Sequence, residues 1–339
     1  MISSNFKAIF GWPLFLVLGL ASCQEKPEWV QRQNYGPAQG STYQISYITL
    51  AGTDYQGAID SLLLAVDLQL SAWKEQSSLS QLNRGDTLPL QQNVLLQAVI
   101  DSALEMQVRT AGAFDITIGS VIQLWGFHRK QGAIPTDSSI ALALAQCGKD
   151  KIVRDGEKIV LKDQCSLDVN GIAQGFTVDI IASFLEAKGI EQYMVEVGGE
   201  VRAQGMNIDD RIWRIGIDRP TEEREDQPRF MRIVPLENKA LATSGNYRKY
   251  VVDPHTGKKY GHSIDPTTGR PKEDVLLSAT VIAPTATAAD AWGTALMVMG
   301  LEQAQRTVLE RPDLEAYLIY SNRKGEWEEW TSPGFPEQP

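Results

Sequence analysis

A fold that mixes helices with strands follows from three features of the sequence. Apolar residues recur at helical spacing over Gln56–Ser71, Asn93–Thr110, Phe176–Leu185 and the stretch from Pro284 to Leu296. Strand-like runs at Thr42–Thr49, Tyr193–Val197, Trp213–Ile217 and Phe230–Leu236 are interspersed with them. The 339 residues, 43% hydrophobic and 22% charged, suffice for a substantial core in one large domain or two fused ones. A net charge of −10 argues against broad nucleic-acid binding, because neutralising phosphates needs a basic surface. No nucleic-acid partner is expected.

At the N-terminus Lys7 precedes an apolar run from Ala8 to Leu20, followed by Ala21-Ser22-Cys23. The run is short for a membrane span and reads as a targeting segment over residues 1–22. Small residues directly before a cysteine resemble a bacterial lipoprotein processing site, which makes Cys23 the expected lipidation position. An ordinary secretory peptide with an incidental cysteine is the other reading, and either predicts an exported chain. Residues 23–37 are polar and include Pro27 and Pro37, so a flexible tether is expected there, with the folded domain over 38–339.

Within the domain, Thr42–Thr49 alternates as a strand and Gln56–Ser71 follows as a helix. The polar loop from Trp73 to Asn83 sets an aromatic beside hydroxyl and amide groups, suited to stacking a flat ring, although a core tryptophan is the default reading. The helix over Asn93–Thr110 ends at Gly112. Ala113-Phe114-Asp115 and Leu124-Trp125-Gly126-Phe127 then form a dense aromatic patch. Cys147 and Cys165 flank Lys151–Leu161, which reads as a hairpin turning at Asp155-Gly156. The cysteines are almost equidistant from that turn, so a disulfide between them is expected in an oxidising compartment, with two inert buried thiols as the competing reading. Three cysteines and three histidines (His128, His255, His262) show no zinc signature.

The chain is organised around Ser166–Gly205. An apolar approach ends at Asp168, and a turn carrying Gly171 and Gly175 enters the helix from Phe176. Such a turn lets backbone approach an anion at a helix start, though it is more often a structural connection. The strand Tyr193–Val197 stops at Gly198-Gly199-Glu200, a second point of close approach. In the helix that follows Pro284, Asp290 and Thr294 stand at i and i+4, which places two oxygen ligands on one face. The charged stretch Thr221–Arg229 reads as a solvated hairpin loop, and Ala240–Arg248 as a strand entering a polar turn. The loop Tyr260–Pro271 gathers His262 and Asp265 among turn residues, which makes His262 a candidate base or ligand as well as a structural histidine.

Six blocks, in order, resemble the ApbE flavin transferases: Gly112–Asp115 with Leu124–Phe127, Asp168–Gly175, Val195–Glu200, Thr243–Tyr247, His262–Pro271 and Ala283–Met299. Together they span roughly Gly40 to Tyr320. The resemblance implies an α+β fold, a mixed or antiparallel sheet with packed helices, in two lobes around a flavin cleft. It implies flavin contacts at Gln39, Trp73, Ala113, Phe114, Asp115, Asp168, Gln174 and Ile264. Magnesium would be held by the Gly171 carbonyl, Asp290 and Thr294, and His262 would serve as the base. Gln39 stands where the family often has methionine, and Gln174 where it often has lysine or glutamate. The activity implied is transfer of FMN from FAD to a protein threonine or serine, with AMP released. The acceptor would be a flavoprotein such as a subunit of a membrane redox complex, and the enzyme a lipid-anchored protein facing the periplasm. A hydrolase splitting FAD into FMN and AMP and a non-catalytic flavin-binding lipoprotein are the alternatives.

Overall fold

The computed structural model describes residues 28–127, 134–219, 230–246, 250–253 and 256–338. The leader, Cys23, His128, His255 and the loop expected over Thr221–Arg229 therefore lie outside the described residues.

The chain opens with a hairpin of β1 (Trp29–Ala38) and β2 (Ser41–Leu50), turning on Gln39 and Gly40, both at positive φ. Helices α1 (Gln56–Leu70), α2 (Ser78–Asn83), α3 (Val94–Arg109), α4 (Gly119–Trp125) and α5 (Asp137–Ala145) follow, with β3 (Leu88–Pro89) between α2 and α3. Strands β4 (Ile152–Asp155) and β5 (Lys158–Leu161) join β3 in a small sheet. Next come α6 (Ala173–Ala187), β6 (Tyr193–Val197), β7 (Glu200–Gln204), β8 (Trp213–Asp218), β9 (Phe230–Leu236) and β10 (Lys239–Gly245). Short strands β11 (Tyr250–Val252) and β12 (Lys259–Gly261) pair, as do β13 (Ile264–Asp265) and β14 (Arg270–Pro271). The chain closes with β15 (Leu276–Ala283), α7 (Ala286–Met299), α8 (Leu301–Leu309), β16 (Glu315–Ser321) and β17 (Trp327–Thr331).

The main sheet runs β1-β2-β6-β7-β10-β15-β16-β17, and every neighbouring pair is antiparallel. Of the two sheet types expected, the antiparallel one is observed. On one face, Tyr43, Ile45, Tyr47, Val195 and Val197 pack against Val178, Ile181 and Leu185 of α6 and Ile59 of α1. On the other, Val201, Leu241, Ile282 and Tyr317 are covered by the β8–β9 hairpin and Phe335. A third cluster ties α1–α3 to α7 through Leu96, Ile100, Phe114 and Trp292.

Four local expectations change. Residues 29–37 are not a tether: β1 pairs with β2 along its whole length, because Asn34 and Ala38 turn inward while the alternate side chains stay polar or exposed. The loop after Trp73 contains α2, capped by Ser77, whose hydroxyl accepts the Ser80 N–H at 3.1 Å. The β4–β5 turn is Gly156-Glu157, one residue later than expected, since Asp155 still pairs with Lys158. Cys147 and Cys165 are free. Cys147 donates to the Ala143 carbonyl at 3.3 Å beside the Trp125 cluster, whereas Cys165 is packed in the main core. Among the described residues no helix is long and apolar enough to cross a membrane.

Candidate active site at the crossing of two helices

Two buried helices meet where the sequence placed its glycines. Helix α7 is apolar on nearly every side because it is sandwiched between the sheet and the helical lobe, and only Thr287 and Thr294 escape burial. Its start is fixed twice. The Thr285 hydroxyl accepts the Ala288 N–H, and the Asp179 carboxylate on α6 accepts from the Ala286 N–H, the Thr287 N–H and the Thr287 hydroxyl at 3.2, 2.8 and 2.6 Å. Arg202 on β7 holds Asp179 and Glu186, each at 3.0 Å. The crossing itself needs Gly175, where a Cβ would stand 2.2 Å from the Ala286 oxygen and 2.8 Å from the Asp290 Cβ. This glycine therefore serves contact between α6 and α7, rather than the ligand approach that a glycine turn before a helix first suggests.

Asp290 is buried at this crossing, and its Oδ2 accepts the Gly175 N–H at 3.0 Å. One turn on, Thr294 lies against Gly171, where a Cβ would come within 2.8 Å of its hydroxyl and 3.2 Å of the Phe114 ring. The Ser244 hydroxyl at the end of β10 is 3.5 Å from that of Thr294. Glu200, which follows the Gly198-Gly199 turn, is also buried, and its Oε2 has no hydrogen-bond partner among the described residues. Burial pushes the Asp290 carboxyl above the usual carboxylate range, and burial followed by the neighbouring Asp290 raises that of Glu200. Two desolvated carboxyls, a hydroxyl and a turn backbone fit a hard divalent cation, which would relieve their mutual repulsion. Among the described residues no cluster of three or more His, Cys, Asp or Glu forms, so the donor set is oxygen from mixed groups, not a transition-metal cage.

The expected flavin residues divide. Gln174 lies against Gly198, where a Cβ would collide with its Nε2, and the positive φ of Gly198 favours glycine there. Gln39 reaches from the β1–β2 turn to donate to the Thr177 hydroxyl at 2.7 Å, which leaves its Oε1 buried without a partner among the described residues. Phe114 is buried beside Gly171, with Ala113 preceding it on the turn after α3. These four, with Gly171, Asp290 and Thr294, surround the helix crossing. Asp115 is occupied structurally: its Oδ1 accepts from the Thr117 N–H and hydroxyl, and its Oδ2 from Gln107. Asp168 closes a turn onto the Asn170 N–H at 2.8 Å. The Ile264 side chain is buried among the Trp125 cluster, so only its backbone can face a ligand. Trp73 is exposed on the loop before α2. His262 lies on the loop that Ser263 fastens to Asn246 by two hydrogen bonds, and that Trp125 fastens by donating to the Gly269 carbonyl at 2.8 Å.

Residues 39–318 match the family model described as the ApbE family. The chain belongs to the ApbE family. Among its ApbE relatives, the FAD:protein FMN transferase of Vibrio cholerae is 35% identical over 328 residues, 94% of this chain and 95% of that one. That of Salmonella typhimurium is 36% identical over 338 residues, 95% and 93% of the two chains. The solved Flavin Transferase ApbE from Vibrio cholerae superposes with a TM-score of 0.78 at 34% identity, covering 91% of this chain and 99% of that one. An apo flavinyl transferase ApbE of Pseudomonas stutzeri gives the same TM-score at 28% identity, over 91% and 96%. The expected family and α+β fold are both borne out.

Sequence reasoning missed four residues of this ApbE site. Glu200, read as the end of a turn and of one family block but given no role, is a buried acid facing Asp290. Asp179 looked like one polar position on a helix. Ser244 lay unremarked in a strand. Asn83 grips the backbone before Asp168, donating to the Leu167 carbonyl at 2.9 Å and accepting its N–H at 2.8 Å. For Glu200 a signal existed, an acid directly after a two-glycine turn that closes an apolar hairpin. The others depend on partners more than 20 residues away.

Proposed function

We propose that this chain is a magnesium-dependent FAD:protein FMN transferase that acts on a threonine or serine hydroxyl of a flavoprotein and releases AMP. We further propose that it works as an exported lipoprotein anchored at Cys23 and facing the periplasm. The observation that carries the catalytic reading is the buried Asp290, one turn before Thr294, against the Gly171 turn. Bound there, magnesium would neutralise charge on the pyrophosphate of FAD. Asp290, Thr294 and the Gly171 carbonyl are its proposed holders. The Gly175 N–H orients the Asp290 carboxylate, and the α6–α7 contact keeps that orientation rigid.

In the reaction, the acceptor oxygen bonds to the FMN-side phosphorus as the bond from that phosphorus to the bridging oxygen breaks, so AMP departs with that oxygen. The hydroxyl proton goes to His262, since an imidazole nitrogen can take up a proton from an attacking alcohol. Phe114, Gln174 and Gln39 border the space a flavin would take, and catalysis is mostly positioning and charge stabilisation.

The deciding test incubates FAD and magnesium with a threonine-bearing acceptor and the Asp290→Ala variant alongside. Covalent flavin fluorescence on the acceptor with wild type, lost in a folded Asp290→Ala protein, is expected. AMP without labelling would make the protein a hydrolase, and no turnover a binder. Full activity in the variant would remove Asp290 from the site.

A further inference from the structure

The early start of β1 has a geometric consequence for the lipid-anchored reading, on which this inference rests. Only five residues, Gln24 to Glu28, separate Cys23 from Trp29. Even fully extended, such a link reaches about 20 Å. The end of the sheet that holds Trp29 is therefore kept within about that distance of the membrane surface, close enough to touch it.

That end is apolar. Trp29 is 61% exposed and pairs directly across from Leu50, 41% exposed, so both side chains point to the same sheet face. On that face the Gln31 side chain accepts the Ile208 N–H, which brings the β7–β8 turn alongside with Met206 41% and Ile208 46% exposed. Four large apolar side chains, one of them a tryptophan, thus share one corner, a composition suited to the boundary between headgroups and acyl chains. Glu28, Asp209 and Asp210 border the corner, so the contact would be apolar and not an attraction to anionic lipid.

We infer that Trp29, Leu50, Met206 and Ile208 form a lipid-docking corner that sets the orientation of the enzyme on its membrane. The β1–β2 hairpin runs from this corner to the Gln39-Gly40 turn, where Gln39 bonds Thr177 beside the helix crossing. Ten residues of strand span about 30 Å. The candidate active site, at the opposite end of the hairpin, is consequently held no more than about that far beyond the corner.

The test uses the full-length acylated protein in phosphatidylcholine vesicles with brominated acyl chains, after mass spectrometry of the N-terminal peptide has established acylation of Cys23. Brominated lipid should quench part of the tryptophan fluorescence. Trp29→Phe should abolish that increment, whereas Trp327→Phe, at the opposite edge of the sheet, should leave it unchanged. Acylated protein whose quenching is the same with and without Trp29 would overturn the docking corner while leaving the lipid anchor standing. Absence of an acyl group would remove the anchor and the inference together. Shielding of Trp29 from iodide that grows with protein concentration in vesicle-free solution would make the corner an interface between copies, and overturn it too.

Discussion

Adding one methyl group at Gly175 should weaken the protein at the point where its chemistry is assembled. In Gly175→Ala the new Cβ would lie 2.2 Å from the Ala286 oxygen, 2.6 Å from its carbonyl carbon and 2.8 Å from the Asp290 Cβ. None of these atoms is the far end of a flexible side chain, so α6 and α7 must separate. Overpacking of this kind costs about 1–3 kcal/mol. The separation also breaks the hydrogen bond from the Gly175 N–H to Asp290, and a bond to a charged group is worth about 1.5–3 kcal/mol. Better helix propensity of alanine returns about 1 kcal/mol. The net loss is roughly 1.5–5 kcal/mol, which at about 1.5 °C per kcal/mol for a chain of this size lowers the melting temperature by roughly 2–8 °C. Gly57→Ala is the matched control, since a Cβ at that exposed position of α1 meets nothing within 4 Å. Differential scanning fluorimetry of both variants, with FMN-transfer rates alongside, measures the difference. A Gly175→Ala protein that melts as high as Gly57→Ala would refute the packing account of this glycine.

Asp179→Ala should destabilise by about 2–4 kcal/mol in urea denaturation, because it strips the first turn of α7 of its acceptor and leaves Arg202 half-paired, with Asp179→Asn recovering part of the loss. A change below about 0.5 kcal/mol would show that the start of α7 is held by Thr285 alone. His262→Ala should slow transfer by roughly 10²–10⁴-fold with little change in FAD affinity, and a rate within about threefold of wild type would exclude it as the base. Both thiols should be alkylated by iodoacetamide after denaturation without reductant, since Cys147 and Cys165 are free. In the native protein at pH 8 Cys165 should resist, because burial and then its neighbour Cys147 push that thiol up to about 12, and so keep it protonated. A mass lacking both adducts after denaturation would restore the disulfide.

From the sequence alone the long helices and inner strands could be read, because their apolar spacing is imposed by burial on one side and needs no knowledge of the partner. The same holds for the Asp290–Thr294 pair, since i and i+4 share a helix face wherever the helix lies, and for the ordered blocks that resemble the ApbE family. Strand β1 was lost to that reading because its two faces are polar or exposed except at Asn34 and Ala38, and only pairing with β2 gives it order. The purpose of Gly175 was likewise hidden: a glycine before a helix looks the same whether a phosphate or another helix comes close, and Ala286 is more than 100 residues away. Glu200 became an acid of the site only when the β6–β7 turn carried it beneath α7, where removal from water and the nearness of Asp290 give it a chemistry that no local pattern encodes.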